Sequence, residues 1–326
     1  MSKISRERHK VRTEYFEYLK ETAKVVDPYV NQFIQNNYNA NSELGEKLIA
    51  RYRFGKAQLR PAQVRLAYEL VEGDDWNKSI PACASVEAKD TGYYCLDDVL
   101  DSGANPVLIL LEGIFSSASY AMLNDLFAYF PAEQVQKVIK ELSNLDSNNA
   151  KGALIDINLK QPNEELYLQK AKGYNFLEHA LRIGAILGNA SSREVEKIGL
   201  AGQNIGIGYI IANDTWDFGK ELEDFKDGKY TLPIMFAFEN ATEQDKRELV
   251  SLFNQKNISP EQIDKVRKIV VRNGTIKYGM EKSQEFCNKG IEVLNQFPDS
   301  KARRLLEFAT TMTQRNKFYD ILKKYK

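Results

Sequence analysis

Residues 97–106 read Asp-Asp-Val-Leu-Asp-Ser-Gly-Ala-Asn-Pro (DDVLDSGANP) and close an apolar stretch. Ser102-Gly103 and Asn105-Pro106 are turn signals directly behind the third aspartate, so the spacing predicts a helix that ends near Asp101. Asp97, Asp98 and Asp101 then occupy a last helical turn, where negative charge opposes the helix dipole. Asp97 and Asp101 stand at i and i+4 and share one helix face. Carboxylates gathered in that position require a neutralising partner, and hard divalent cations are the usual one. Taken alone, the run is equally consistent with a solvated helix end.

Outward from this run the chain reads as helix almost throughout. Apolar residues recur at three- and four-residue spacing in 131–142, 164–188, 193–212 and 242–253, and a further helix is predicted over 108–121. Convincing alternating strands are absent, and most of the nine prolines fall between the periodic segments. No linker, repeat or low-complexity stretch divides the 326 residues. The expectation is one all-α domain, residues 1–326, with many helices packed around a common core.

Composition excludes several classes. The 45 basic and 45 acidic residues balance, so no net field directs the chain to nucleic acid or an anionic membrane surface. Mean hydropathy is −0.46, and uninterrupted apolar runs such as 107–111 are too short to span a bilayer, so no membrane insertion is expected. The start, MSKISRERHK, has no apolar segment behind its charges and does not resemble a secretory signal. Cys83, Cys95 and Cys287 are odd in number and lack metal spacing, which fits a cytoplasmic protein. The two histidines, His9 and His179, make histidine-based sites improbable; His179 lies in an apolar helix and reads as a packing residue.

A second acidic run, Asn213-Asp-Thr-Trp-Asp217, comes more than a hundred residues after the first. If its helix continues, Asn213, Asp217 and Glu221 fall at i, i+4 and i+8 on one face. Two such helices facing a pocket could hold Mg²⁺ between their oxygens and a diphosphate, with Lys172 and Lys229 adding positive charge.

The ordered set of motifs resembles the trans-isoprenyl diphosphate (polyprenyl) synthases over roughly residues 50–316. It comprises Gly55-Lys56 with Leu59-Arg60-Pro61, DDVLD, Gly152 with Asp156, Lys172, the glycine-rich segment 199–212 leading into NDTWD, and Asp227-Gly-Lys-Tyr-Thr-Leu-Pro233. Residues 273–278, 297–303 and Arg315 continue the likeness. The resemblance implies the isoprenoid (terpenoid) synthase fold, a helical bundle around a central active-site cavity, usually as a homodimer. It also implies about three Mg²⁺ ions per active site, held by Asp97, Asp101, Asn213, Asp217 and Glu221, with Asp98 in the same catalytic set. Lys172, Lys229, Lys56 and Arg60 would bind diphosphate. Bulky residues one turn before the first motif, Tyr93 and Tyr94, would form the floor that limits the prenyl chain to about C10–C20. Trp216 could face a carbocation with its π system.

Departures from the family pattern point to the second substrate. The arginine pair that follows the first motif in elongating synthases is missing. The histidine that contacts isopentenyl diphosphate is replaced by Asp90, whose charge is expected to repel it. The Lys56/Arg60 pair has one extra intervening residue, and the glutamine expected before the second motif is Ile210. NDTWDFGKE also resembles the Asn/Ser/Glu metal triad of class I terpene synthases, NDxxSxxxE. The leading expectation is therefore an Mg²⁺-dependent enzyme that ionises an allylic prenyl diphosphate and then cyclises it or eliminates a proton. The alternatives are a prenyltransferase that condenses it with isopentenyl diphosphate, and a catalytically poor subunit of a heteromeric synthase.

Overall fold

The structure is a computed structural model of the chain and describes residues 3–52, 54, 59–103 and 105–311. Lys56, with Gly55, and Arg315 lie outside the described residues. Among the described residues there is no strand. The chain forms α1 (Lys3–Tyr38), α2 (Glu43–Arg51), α3 (Leu59–Leu70), α4 (Ile80–Ser102), α5 (Pro106–Met122), α6 (Ala132–Asn158) and α7 (Glu164–Gly173). It continues through α8 (Phe176–Leu187), α9 (Ser192–Lys220), α10 (Glu223–Lys226), α11 (Leu232–Asn240), α12 (Glu243–Leu252), α13 (Pro260–Arg272) and α14 (Thr275–Leu294).

These helices group into two compact units. The first holds Met1–Asn144, Phe176–Gly199 and Phe297–Phe308. The second holds Leu145–Asn175, Leu200–Gln296 and Ala309–Lys326. Within the first, α4 packs against α1, α3, α5 and α8. Ala82, Cys83, Ala84, Val86 and Ala88 among its buried positions are small, which lets neighbouring helices approach it closely, while Glu87 and Lys89 are buried polar exceptions. α4 ends as its sequence predicts: Gly103 takes φ 99°, a left-handed value that a residue with Cβ resists, and its N–H bonds the Val99 carbonyl.

The second unit is built on an aromatic and aliphatic core. Phe218 and Phe225 stack at 5.5 Å between ring centroids and are fully buried with Leu222, Ile234, Leu249 and Val270. Each such side chain contributes about 1.5–3 kcal/mol of burial. A second cluster gathers Tyr167, Ala171, Ile207, Ile211 and Leu232 around α7 and α9.

Two helix boundaries differ from the periodicity reading, and one helix is more apolar than run counting suggests. The segment 164–188 is two helices, α7 and α8, interrupted at Tyr174-Asn175. Asn175 is buried and donates its side-chain N–H to the Gln203 carbonyl of α9 at 2.8 Å. Gly206 makes room for it, since a Cβ there would strike the Asn175 amide. α6 runs on past residue 142 to Asn158, through a largely polar stretch that lies beyond the periodic segment 131–142. α5 and the 3-10 turn behind it, Pro106–Ala128, contain an 18-residue window with a mean hydropathy of 1.5. By length and composition alone that segment could cross a membrane, with one third of it buried. Counting uninterrupted apolar runs missed it, because Glu112 and the serines break the run without changing the helix average.

Candidate active site

In the first unit the chemistry-bearing side chains gather on one face of α4. Asp90, Tyr93 and Asp97 are spaced at i, i+3 and i+7, and Tyr94 is turned outward at 37% exposure. Tyr93 is half-buried and meets the Phe176 ring of α8 edge-on at 6.1 Å. Above the same Phe176 ring, at 5.0 Å, lies the guanidinium of Arg60 from α3. Arg60 Nε stands 3.2 Å from Asp90 Oδ1. The Asp90 carboxylate is therefore not a bare negative charge, and the repulsion expected from it is offset by its own cation.

Asp97 and Asp98 are exposed at the end of α4. Asp98 pairs with Arg51 of α2 at 2.6 Å, a partner that spacing along the chain gives no hint of. The backbone of Asp101 continues α4; its side chain is not among those described.

In the second unit the predicted helix ends one residue before Glu221. α9 stops at Lys220, and Leu222 enters the left-handed region at φ 59°, so Glu221 lies past the helix that was to carry it. Glu221 is half-buried and pairs with Lys220 at 3.2 Å. Asn213 is exposed, whereas Asp217 is buried and accepts N–H bonds from Glu223 and Asp224, both at 3.1 Å. Asp217 thus secures the turn into α10. Asn213 and Asp217 share a face of α9 at i and i+4, and Glu221 follows directly at the helix end, its N–H on the Asp217 carbonyl at 2.8 Å. Trp216 is half-buried against the Phe218 core with the Lys220 ammonium 4.5 Å over its ring.

A different acidic group assembles around α7. Tyr167 donates its hydroxyl to Asp214 Oδ2 at 2.7 Å, and both are buried. Lys170 Nζ stands 3.0 Å from Asp156 Oδ1 of α6. Lys229 reaches Asp224 at 3.5 Å. Burial first, and the neighbouring carboxylates Asp224 and Asp156, push Asp214 up to about 7 against the pull of Lys170. Burial disfavours charge on Lys170, but Asp214 and Asp156 outweigh it and hold the ammonium more firmly than usual. Asp217 is likewise pushed up to about 7, by burial and by Asp224. Lys172, the lysine singled out by resemblance, is exposed one residue beyond this cluster's reach along α7.

The residues missed by sequence reading are Lys170, Asp214, Asp224 and Tyr167. Helical spacing carried a signal for two of them: Tyr167 and Lys170 stand at i and i+3 and share a face with Ala171's apolar neighbours. Asp214 and Asp224 are joined only by the turn that ends α9. Among the described residues no group of three or more His, Cys, Asp or Glu side chains could hold a metal ion.

The polyprenyl synthetase family model matches residues 47–270, well over half the chain. The chain belongs to the polyprenyl synthetase family. It is an enzyme, and the family is generally Mg²⁺-dependent. The chain is 23% identical over 329 residues to the geranylgeranyl diphosphate synthase of Saccharolobus solfataricus, covering 92% of this chain and 98% of that protein. It is 24% identical to the geranylfarnesyl diphosphate synthase of Aeropyrum pernix, covering 86% and 96%. The crystal structure of geranylgeranyl pyrophosphate synthetase from Pyrococcus horikoshii superposes with a TM-score of 0.81 at 23% identity, covering 94% and 99%. These likenesses establish the all-α isoprenoid-synthase fold. The synthases among them favour the condensation alternative over cyclisation, which none of them supports.

Proposed function

We propose that this enzyme is a trans-prenyltransferase that joins isopentenyl diphosphate to an allylic prenyl diphosphate. The single observation that carries the reading is the Arg60–Asp90 pair. The replacement of the family histidine by Asp90 was one of the departures that argued against a second diphosphate, and its negative charge is matched within the protein. Magnesium bound by the carboxylates would supply Lewis-acid stabilisation of the departing pyrophosphate. Asp97 and Asp98, at the end of α4, are the groups proposed to hold it. Lys229 adds positive charge where pyrophosphate charge develops. The apolar side chains around Tyr93 and Phe176 would shelter the prenyl chain from water.

Asn213 supports a second reading. It is exposed and amide-bearing where elongating synthases carry a carboxylate, as in terpene synthases. A homodimer is supported by α5, whose Leu110, Gly113, Ser117 and Ala121 form an exposed apolar and small-residue stripe at helical spacing. Leu110 is 66% exposed, and a Cβ at Gly113 would meet open space. A second copy would cover that stripe.

The test of metal-assisted ionisation is Asp97→Ala. Turnover is expected to fall on the order of 10³-fold, with the fold retained. Because Asp97 is exposed and opposes the α4 dipole, thermal stability should hold or rise slightly. Activity within a few-fold of the parent would refute the assignment.

A further inference from the structure

Within the first unit an open cavity of about 270 Å³ lies at the end of α4 that is opposite to the aspartates. At roughly 1.5 Å of rise per residue, Ile80 and Asp97 stand about 25 Å apart along that helix. Tyr29 of α1 lines the cavity, with Ile80 and Pro81 of α4 and Asn77 of the 3-10 turn ahead of it, Trp76–Ser79. Asp125 and Tyr129 close the other side from the turn behind α5. Among the described residues that line it, Asp125 is the only charged one. The Tyr29 hydroxyl donates to Asp125 Oδ2 at 2.6 Å. Burial first, and then Asp125, push the Tyr29 phenol far up, so it stays a donor. Tyr129 is 56% exposed and close enough to Tyr29 to add to that shift. The Asn77 side-chain N–H donates to Asp75 at 2.8 Å, which leaves its amide oxygen as an acceptor. The neighbouring Lys78 is held by Asp74.

We propose that this cavity is a binding site for a small organic ammonium ion with a short apolar tail. The Asp125 carboxylate supplies the opposite charge, and the rings of Tyr29 and Tyr129 supply π faces that attract a cation. Ile80 and Pro81 offer apolar surface to the tail. No lysine or arginine lines the cavity, so an anion would meet Asp125 without a counter-charge, and a neutral ligand would leave that charge unused. A hard divalent metal ion does not fit, since it takes about six oxygen ligands and the cavity offers one carboxylate. The binding groups come from α1, α4 and the turn behind α5, so an occupant bridges three elements and stabilises the unit by mass action. The site is separate from the diphosphate chemistry and does not depend on how the allylic cation reacts.

The experiment titrates the full-length protein with n-butylammonium and with tetramethylammonium chloride, followed by saturation-transfer NMR at constant ionic strength. n-Butanol serves as the neutral counterpart. Both ammonium ions are expected to saturate in the millimolar range, and n-butanol to bind at least about tenfold more weakly. Asp125→Asn should weaken the ammonium ions about tenfold or more. Tyr129→Leu keeps apolar bulk without a π face and should weaken them about fivefold. Tyr29→Phe keeps the ring and frees Asp125 from its donor, so it should bind at least as tightly as the parent. Melting temperatures without probe establish that each variant is folded. The rise in melting temperature that the probes give the parent should vanish in Asp125→Asn, while its prenyl-transfer rate stays parental. Failure of both ammonium ions to saturate the parent would overturn the proposal, as would equal binding of n-butanol. Parental affinity in both Asp125→Asn and Tyr129→Leu would place the probe elsewhere and overturn it too.

Discussion

Arg60 of α3 and Asp90 of α4 form a half-buried ion pair, Nε to Oδ1 at 3.2 Å, with the guanidinium lying over Phe176. The pair fixes Arg60 in one orientation and spends part of its charge on the protein. Asp90→Asn should release that charge and lower the KM for isopentenyl diphosphate about three- to tenfold. Arg60→Ala should raise the same KM about tenfold or more, because Asp90 is then left unmatched. Neither change should move the KM for the allylic substrate comparably. Steady-state kinetics with each substrate varied in turn checks this.

Asp217 gives a pH signature. Burial first, and the charge of Asp224 second, raise its pKa from 3.8 to about 7. The folded state therefore binds this proton more readily than the unfolded state. The stability contributed is full below 3.8 and is lost as pH rises through about 7. Asp217→Asn keeps an acceptor for the Glu223 and Asp224 N–H groups but cannot ionise. In EDTA, the variant should become progressively more stable relative to the parent as pH rises from 3.8 toward 7. Urea unfolding across that range measures it.

Tyr93 stands one turn before Asp97 and packs edge-on to Phe176. Removing its ring by Tyr93→Ala opens space on the α4 face that carries the first motif. Products are expected to lengthen by at least about one isoprene unit, read by mass spectrometry of the dephosphorylated alcohols. The lost ring contact should cost about 0.5–1.5 kcal/mol of stability beyond its area burial. Unchanged product length would remove Tyr93 from the floor.

Leu110 is the most exposed apolar side chain on the α5 stripe. Leu110→Lys should leave the fold intact and convert a dimer to a monomer in light scattering coupled to size exclusion. Parental mass in the variant would show that α5 does not carry the association.

Much of the fold was legible because helical periodicity and turn residues act locally. DDVLD followed by Ser102-Gly103 located the end of α4, and Gly103 supplies the left-handed φ that ends it. The break at Tyr174-Asn175 was not legible, since it depends on the Asn175 side chain reaching the α9 backbone across a gap of 28 residues. The site divides the same way. Asp97 and Asp98 follow from the motif. Glu221 was placed by extending a helix that stops one residue earlier, at Lys220. Lys170 was hidden by Lys172, because nothing in the local pattern tells which lysine α7 turns toward Asp156. Arg51 and Arg60 were matched to their aspartates only by packing of α2 and α3 against α4.

The central claim, condensation of two diphosphates, is tested most directly by incubating the enzyme with Mg²⁺ and geranyl, farnesyl or geranylgeranyl diphosphate, each with and without isopentenyl diphosphate. The account predicts a longer prenyl diphosphate that forms only when isopentenyl diphosphate is present. Hydrocarbon or alcohol released at the same rate without isopentenyl diphosphate, and no longer diphosphate with it, would contradict the account and return the enzyme to the cyclase reading.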